Sequence, residues 1–242
     1  MEKSNFIAKL YLAFLQNGLD CFLNDESASK LYCLYKILVN TNKTFNLTAI
    51  TDENDVILKH FVDCAAVLKH IPPNANIIDV GCGAGFPSLP IAILRNDVKV
   101  TSLDSTAKKI AFIKSASDEL ALTNVTPVSA RAEEHVIKTR ESFDVAISRA
   151  VARLNILDEL CIPFVKKDGL FVAMKASRGE EEYAEAKSGI EKLGCELKLK
   201  EEISLCFYDE NIDREIYVFE KTRSTPIQYP RNFSQISKKP IK

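Results

Sequence analysis

The chain has 242 residues, of which 46% are hydrophobic, 27% charged and 8% aromatic, with no tryptophan and a formal net charge of −1. So much apolar content with so little net charge excludes global disorder, and no run approaches the roughly 18 apolar residues of a membrane span. Neutrality gives no sign of a polyanion partner either, since nucleic-acid-binding domains usually carry a basic surplus.

The first seventy residues read as helical. Phe6, Leu10, Ala13 and Phe14, then Leu31, Leu34 and Leu38, recur at helix spacing. Asn17-Gly18 ends the first helix, and the polar cluster 24–29 separates it from the second. A third helix is expected to start at Thr51 as N-cap, with Asn54 imperfectly filling the Glu position of a capping box. It carries Val56, Lys59, His60 and Asp63 within two turns, and Pro72-Pro73 ends it.

From residue 75 short apolar runs alternate with helical patterns. Strands are expected at 76–80, 98–103, 125–128, 144–147 and 170–174, the last after the turn Lys167-Asp168-Gly169. Helices are expected at 106–121 and 179–193, with Gly194 as the C-terminal cap of the latter. Two final strands, 196–206 and 214–220, flank Asp209-Glu210-Asn211 as a hairpin. Such alternation implies an α/β fold with a mostly parallel sheet covered on both faces. The expected division is a helical cap over 1–72, an α/β domain over 73–222 and a basic tail over 223–242.

Seven cysteines at 21, 33, 64, 82, 161, 195 and 206 contain no C-x-x-C pair, and there are only three histidines. Neither a disulfide framework nor a metal site is expected. The N-terminus mixes acid and base and shows no small-residue cleavage site, so no signal peptide is expected and the cytoplasm is the expected compartment.

The charge total hides a segregation. Residues 1–75 sum to −1, residues 76–220 to −6, and residues 221–242 to +6 with no acid at all. The basic tail (Lys221, Arg223, Arg231, Lys238, Lys239, Lys242) is either a polyanion contact or a solvated terminus.

After the first strand, Asp79-Val80-Gly81-Cys82-Gly83-Ala84-Gly85-Phe86 leads into a helix. The pattern is G-x-G-x-G, with Phe86 where a dinucleotide fingerprint has its third glycine, so a pyrophosphate is poorly served. Asp104, at the end of the second strand, can accept both hydroxyls of a ribose, or can serve as a helix N-cap. Arg131-Ala132-Glu133-Glu134 follows the third strand, where an adenine would lie. Together these resemble the constellation of class I methyltransferases that bind S-adenosylmethionine. Cys82 lacks a positioned histidine and is not read as a nucleophile. The fourth strand ends in Ser148-Arg149-Ala150-Val151, without the Pro-Pro-aromatic segment that cradles an exocyclic amine. A ring nitrogen such as guanine N7 needs no cradle, because its lone pair is already in place.

Longer segments carry a closer resemblance. Phe45-Asn46-Leu47-Thr48-Ala49-Ile50, Lys59-His60-Phe61-Val62-Asp63, the loop 79–90, Leu103-Asp104-Ser105, Arg131-Ala132-Glu133-Glu134, Ile147-Ser148-Arg149-Ala150 and Met174-Lys175 match the bacterial small-subunit rRNA 7-methylguanosine methyltransferases. This is the glucose-inhibited division protein B family, and the tail segments Tyr229-Pro230-Arg231 and Lys239-Pro240-Ile241 resemble it too. The resemblance implies a Rossmann-like seven-stranded sheet, S-adenosylmethionine as donor, and N7 of a guanine in 16S rRNA (guanine 527 in that family) as acceptor. It implies that Gly81, Gly83, Phe86, Asp104, Ala132, Glu133 and Arg149 line the cofactor site. His60, Asp63, Arg149 and Lys175 become candidates near the acceptor, with no residue assigned as catalyst beyond placement. Lys175, Arg231, Lys238 and Lys239 become candidate RNA contacts. The expected partner is 16S rRNA or the 30S subunit, met by a monomer away from any membrane. The segment Phe233-Ser234-Gln235-Ile236-Ser237 departs from the family's tail, which puts the tail's conformation in question. Two other readings stay open: a methyltransferase for a small molecule or protein, and an RNA-binding assembly factor that transfers no methyl group.

Overall fold

The computed structural model describes residues 2–149, 151–176 and 179–241. Helix α1 (Glu2–Gln16) buries Phe6, Leu10, Ala13 and Phe14, one stripe at helical spacing. The Asn17 side chain ties its end to the far side of the molecule, donating to Cys206 O at 2.7 Å and accepting from Cys206 N at 2.9 Å. Helix α2 (Asp25–Asn42) starts inside the polar cluster 24–29, correcting the expected separator. Asn24 and Ser27 cap one another reciprocally, and Asp25 and Glu26 suit the positive end of the helix dipole. Polarity there marks a helix start.

Helix α3 (Glu53–Val56) is capped by Asp52, which accepts from Asn54 N at 2.9 Å and Asp55 N at 3.3 Å. The expected Thr51 cap is therefore one residue early; the Asp52 carboxylate is the acceptor in reach of the free N–H groups. The helix continues as a π-helical turn (Ile57–Val62) into α4 (Asp63–Ala65).

Next come β1 (Asn76–Val80), α5 (Ser88–Leu94), β2 (Lys99–Asp104), α6 (Ala107–Glu119), β3 (Val125–Ser129), α7 (Ala132–Thr139), β4 (Phe143–Arg149), α8 (Leu154–Cys161), β5 (Val165–Lys175), α9 (Gly179–Lys192), β6 (Cys195–Phe207), β7 (Glu210–Lys221) and α10 (Phe233–Lys238). The sheet order is β3-β2-β1-β4-β5-β7-β6, with β7 antiparallel to β5 and β6 and every other pairing parallel. Strand β5 is longer than the expected 170–174. The turn residues lie within it, with Asp168 at φ 64 and the β4–β5 register shifting between Phe143 and Val145. At Gly194, φ is +94 and a Cβ would lie 2.3 Å from Arg223 O, so glycine is required at this cap.

Alternate strand residues feed two cores. Ile77, Val145, Ile147 and Val172 join the cluster of α1, α2 and the 53–65 helix. Ile78, Ala146, Phe171 and Ala173 face α8, α9 and the tail residues Tyr229, Ile236 and Ile241. The first helices and the tail are thus continuous with the cores of the sheet.

Strand order reverses between β1 and β4, which run parallel: the chain progresses outward through β2 and β3, then returns to β4 on the other side of β1. In open α/β sheets ligands bind at the carboxyl ends of such strands. Gly81 follows β1 there and Arg149 ends β4 there. No described helix is long and apolar enough to cross a membrane.

Candidate active site

The loop after β1 is clamped to the end of β2. Gly81 N and Cys82 N both donate to Leu103 O, at 2.8 and 3.1 Å. Gly83 N donates to Asp104 Oδ2 at 3.1 Å, while Asp104 Oδ1 accepts from Thr106 N at 2.8 Å. Asp104 thus ties the loop to the start of α6, whose N-cap residue is Thr106 and not Asp104. Gly81 has φ +76, and a Cβ there would come within 2.5 Å of the Val151 side chain. Beneath the loop, Asp79 is fully buried and accepts from Ser88 N at 3.1 Å and from the Ser88 hydroxyl. Burial pushes its carboxyl up to about 7, against the lowering by the Ser88 bonds. It fastens β1 to α5, a role the sequence did not reveal because its partner comes nine residues later in a helix start. Burial also holds the Cys82 thiol far above its ordinary range, leaving it inert.

Three adjoining hollows run along this edge. The first, about 240 Å³, is lined by Leu103, Asp104, Ala132, Glu133, Gly81 and Phe233. The second, about 320 Å³, is lined by Thr48, His60, Gly83, Phe86, Lys109 and Arg149 and shares Gly81, Asp104 and Val151 with the first. The third, about 550 Å³, is lined by Lys59, Asp63, Met174, Lys175 and Arg214 and shares His60, Arg149 and Val151 with the second. All seven expected cofactor residues and the candidates near the acceptor border this trench.

Arg149 organises the junction. Its Nη1 donates to Asp63 Oδ2 and to Lys59 O, both at 2.9 Å, and its Nη2 bonds His60 Nδ1 at 3.1 Å. Its guanidinium carbon lies 5.6 Å from the Phe86 ring centre, and His60 stacks on that ring at 4.1 Å and 10°. The π-helical turn carries Lys59 and His60 and ends at Asp63, so three successive acceptors meet one guanidinium.

A guanidinium only donates, so His60 Nδ1 accepts and its ring proton sits on Nε2, toward Thr48 Oγ1 at 3.3 Å. Burial and the Arg149 charge push His60 down to about 3, so it is neutral. Thr48 Oγ1 also accepts from Ile50 N at 3.1 Å. With both lone pairs used, its own proton is available to the hollow it lines. Asn42 holds Thr48 in place, accepting from Leu47 N and Thr48 N and donating to Thr48 O. Thr48 stood in a matched segment, but its role depends on His60, which only the fold brings near.

The cations at the mouth are paired with acids, Arg149 and Arg214 sharing the one Asp63 carboxylate. Asp63 Oδ1 accepts from Arg214 Nε at 3.0 Å. Lys175 is 8% exposed, donates to Ala152 O and pairs with Glu182 at 2.6 Å. Lys59 pairs with Asp55 and Glu210.

The tail is ordered over its described residues, and Ala150 and Lys242 lie outside them. Arg231 grips the fully buried Glu159 with Nε, Nη2 and its backbone N–H. Arg140 donates to the carbonyls of Thr225, Pro226 and Tyr229. Lys221 is wholly buried on Ile162 O, Val165 O and the Thr225 hydroxyl. Lys238 and Lys239 are exposed. Arg223 is exposed as well, donating to Glu191 O at 2.8 Å, whereas Arg231 and Lys221 serve the fold.

The family model GidB, the rRNA small subunit methyltransferase G, matches residues 27–205. A ribosomal RNA small subunit methyltransferase G from Lysinibacillus sphaericus is 45% identical over 245 residues, spanning 100% of both chains. One from Pediococcus pentosaceus is 44% identical over 226 residues, 90% of this chain and 92% of its own. Among solved structures, a precorrin-6y C5,15-methyltransferase from Geobacter metallireducens aligns at TM-score 0.51 and 17% identity, over 74% of this chain and 92% of its own. M. jannaschii TYW2, solved in complex with AdoMet, aligns at TM-score 0.54 and 17% identity, over 66% and 75%. At such identities these two establish the class I methyltransferase fold and nothing finer. With a family model over most of the chain and relatives above 40% identity along nearly all of it, the chain belongs to the GidB family, the rRNA small subunit methyltransferases G.

Proposed function

We propose that this chain transfers a methyl group from S-adenosylmethionine to N7 of a guanine in 16S rRNA. Family membership supports an rRNA methyltransferase. The site's own chemistry supports the cofactor and the acceptor atom.

The residues fit the cofactor. Each Asp104 oxygen accepts one backbone N–H, which leaves lone pairs for ribose hydroxyls. A Cβ on Gly83 would meet nothing within 4 Å, so the loop there faces open space in which a ligand can touch backbone. Gly81, Asp104, Ala132 and Glu133 would hold the adenosine part, and Gly83, Phe86 and Arg149 would border the remainder. The chemistry S-adenosylmethionine supplies when bound is an electrophilic methyl on a cationic sulfur.

One observation carries the choice of N7: among the described residues, each carboxylate and imidazole that lines the mouth is held by a cationic partner. His60 is neutral with Nδ1 taken by Arg149. Both Asp63 oxygens are bound by arginines, and Glu182 is taken by Lys175 and Leu154 N. An acceptor that must lose a proton gets no help here. Guanine N7 has none to lose, so placement is the chief task. The Arg149–His60–Phe86 stack is rigid enough for that, and the Thr48 hydroxyl offers a donor to a base's carbonyl edge. Lys238 and Lys239 are the tail's contribution to phosphate binding. This reading puts the enzyme in the cytoplasm with 16S rRNA or the 30S subunit.

The test is incubation with methyl-labelled S-adenosylmethionine and either naked 16S rRNA or 30S subunits, followed by mass-spectrometric mapping. The expected product is one 7-methylguanosine. No label in either RNA would overturn the proposal, and label on a base amine or ribose would overturn its N7 part.

A further inference from the structure

We infer that Phe233, at the start of the C-terminal helix, is a wall of the cofactor's adenine pocket, so that the tail serves cofactor binding. This rests on the S-adenosylmethionine reading above. Phe233 lines the 240 Å³ hollow together with Leu103, Asp104, Ala132, Glu133 and Leu160. Its ring is 41% exposed, in a chain that buries most of its phenylalanines. An aromatic face left open inside a hollow with leucine walls and a ribose-binding carboxylate suits a planar heteroaromatic base.

The residue is held on both sides. Before it, Arg231 is fixed to buried Glu159, with Nη1 also on Lys239 O at 3.0 Å. After it, Ile236 is fully buried and Ile241 is 5% exposed, both in the cluster that holds Leu103 and Leu160. Asn232 caps α10, its side chain accepting from Gln235 N at 3.0 Å. Phe233 therefore reaches the pocket on an anchored helix. Because binding and tail docking share this contact, each strengthens the other, as linkage requires.

The test is calorimetric titration of the full-length chain with S-adenosylhomocysteine. For Phe233→Ala, Kd is expected to rise about tenfold, the scale of a lost base–aromatic stack, while Phe233→Tyr stays within about twofold. Asp104→Asn is the control for the cofactor reading. A wild type that binds nothing sinks that reading. A wild type that binds, with Asp104→Asn weakened and Phe233→Ala unchanged, sinks the present inference alone. Should Phe233→Ala not fold, backbone hydrogen exchange over 229–238 in the wild type decides. Exchange slowed by the ligand supports the contact, and unchanged exchange overturns it.

Discussion

The Arg149 guanidinium donates to Nδ1 of His60 at 3.1 Å and so fixes the tautomer of the imidazole, while burial and then the Arg149 charge keep it neutral. His60 is held down to about 3, against about 6.5 for a free histidine. Between those values the unfolded chain binds the extra proton, so folding stability falls as pH drops from about 6.5 toward 3. The slope from this group is at most about 1.4 kcal/mol per pH unit, and above 6.5 it contributes no pH dependence. Denaturant unfolding of wild type and His60→Gln across pH 4–8 should show a shallower acid loss in the variant; parallel curves would contradict this.

Arg149→Lys keeps a positive charge but cannot reach Asp63, Lys59 O and His60 with one planar fork. Methyl transfer should fall on the order of 100-fold. A loss below threefold in kcat/KM would mean that charge alone suffices.

The Thr48 hydroxyl has its lone pairs occupied and its proton to spare. In Thr48→Val, kcat/KM for RNA should drop about tenfold while S-adenosylhomocysteine affinity changes less than twofold. An equal loss in both would place Thr48 on the cofactor instead.

Asp158 is fully buried and its Oδ2 has no hydrogen-bond partner among the described residues. Burial pushes its carboxyl up to about 8. Here the folded chain holds the extra proton, so stability is lost as pH rises from about 4 through 8. Asp158→Asn removes that dependence, and thermal melts at pH 9 should show the variant more stable than wild type. The opposite order would show that Oδ2 has a partner.

Arg231 and the tail lysines should separate cleanly. Arg231→Ala leaves the buried Glu159 carboxylate without its counter-charge and should cost about 3 kcal/mol, on the order of 10 °C in Tm. Replacing Lys238 and Lys239 by alanine should leave Tm alone. It should weaken RNA binding and lower its salt slope by about one per lysine. Unchanged RNA affinity in the double variant would remove the tail from the RNA interface.

The central strands were readable because they are buried on both faces. Ile77-Ile78 and Val145-Ala146-Ile147 form short apolar runs, fully buried on both faces of the sheet. The hairpin of β6 and β7 was readable from its alternation and Gly194 from its position. The glycine loop, Asp104 and Arg149 were readable as a group, because their spacing is set by local strand-to-loop geometry. Helix α8 was missed: eight residues with buried Asp158 and Glu159 do not look like a core helix. The order of the tail was equally hidden. Its composition matches a solvated terminus, and what fixes it is an acid 72 residues away. Thr48, Asp79 and Phe233 share that cause, since each acquires its role from a neighbour that only the fold supplies.

The Arg231–Glu159 pair also sets an order of events during synthesis. Chains emerge from the ribosome N-terminus first. Glu159 is therefore made 72 residues before the residue that neutralises it, and the second core lacks Ile236 and Ile241 until that later segment is made. A nascent chain that has not reached Arg231 cannot complete this side of the molecule, and a chain cut before Arg231 keeps an uncompensated acid in its interior. The edge lined by Phe233 is thereby completed only after residues 231–241 have been made.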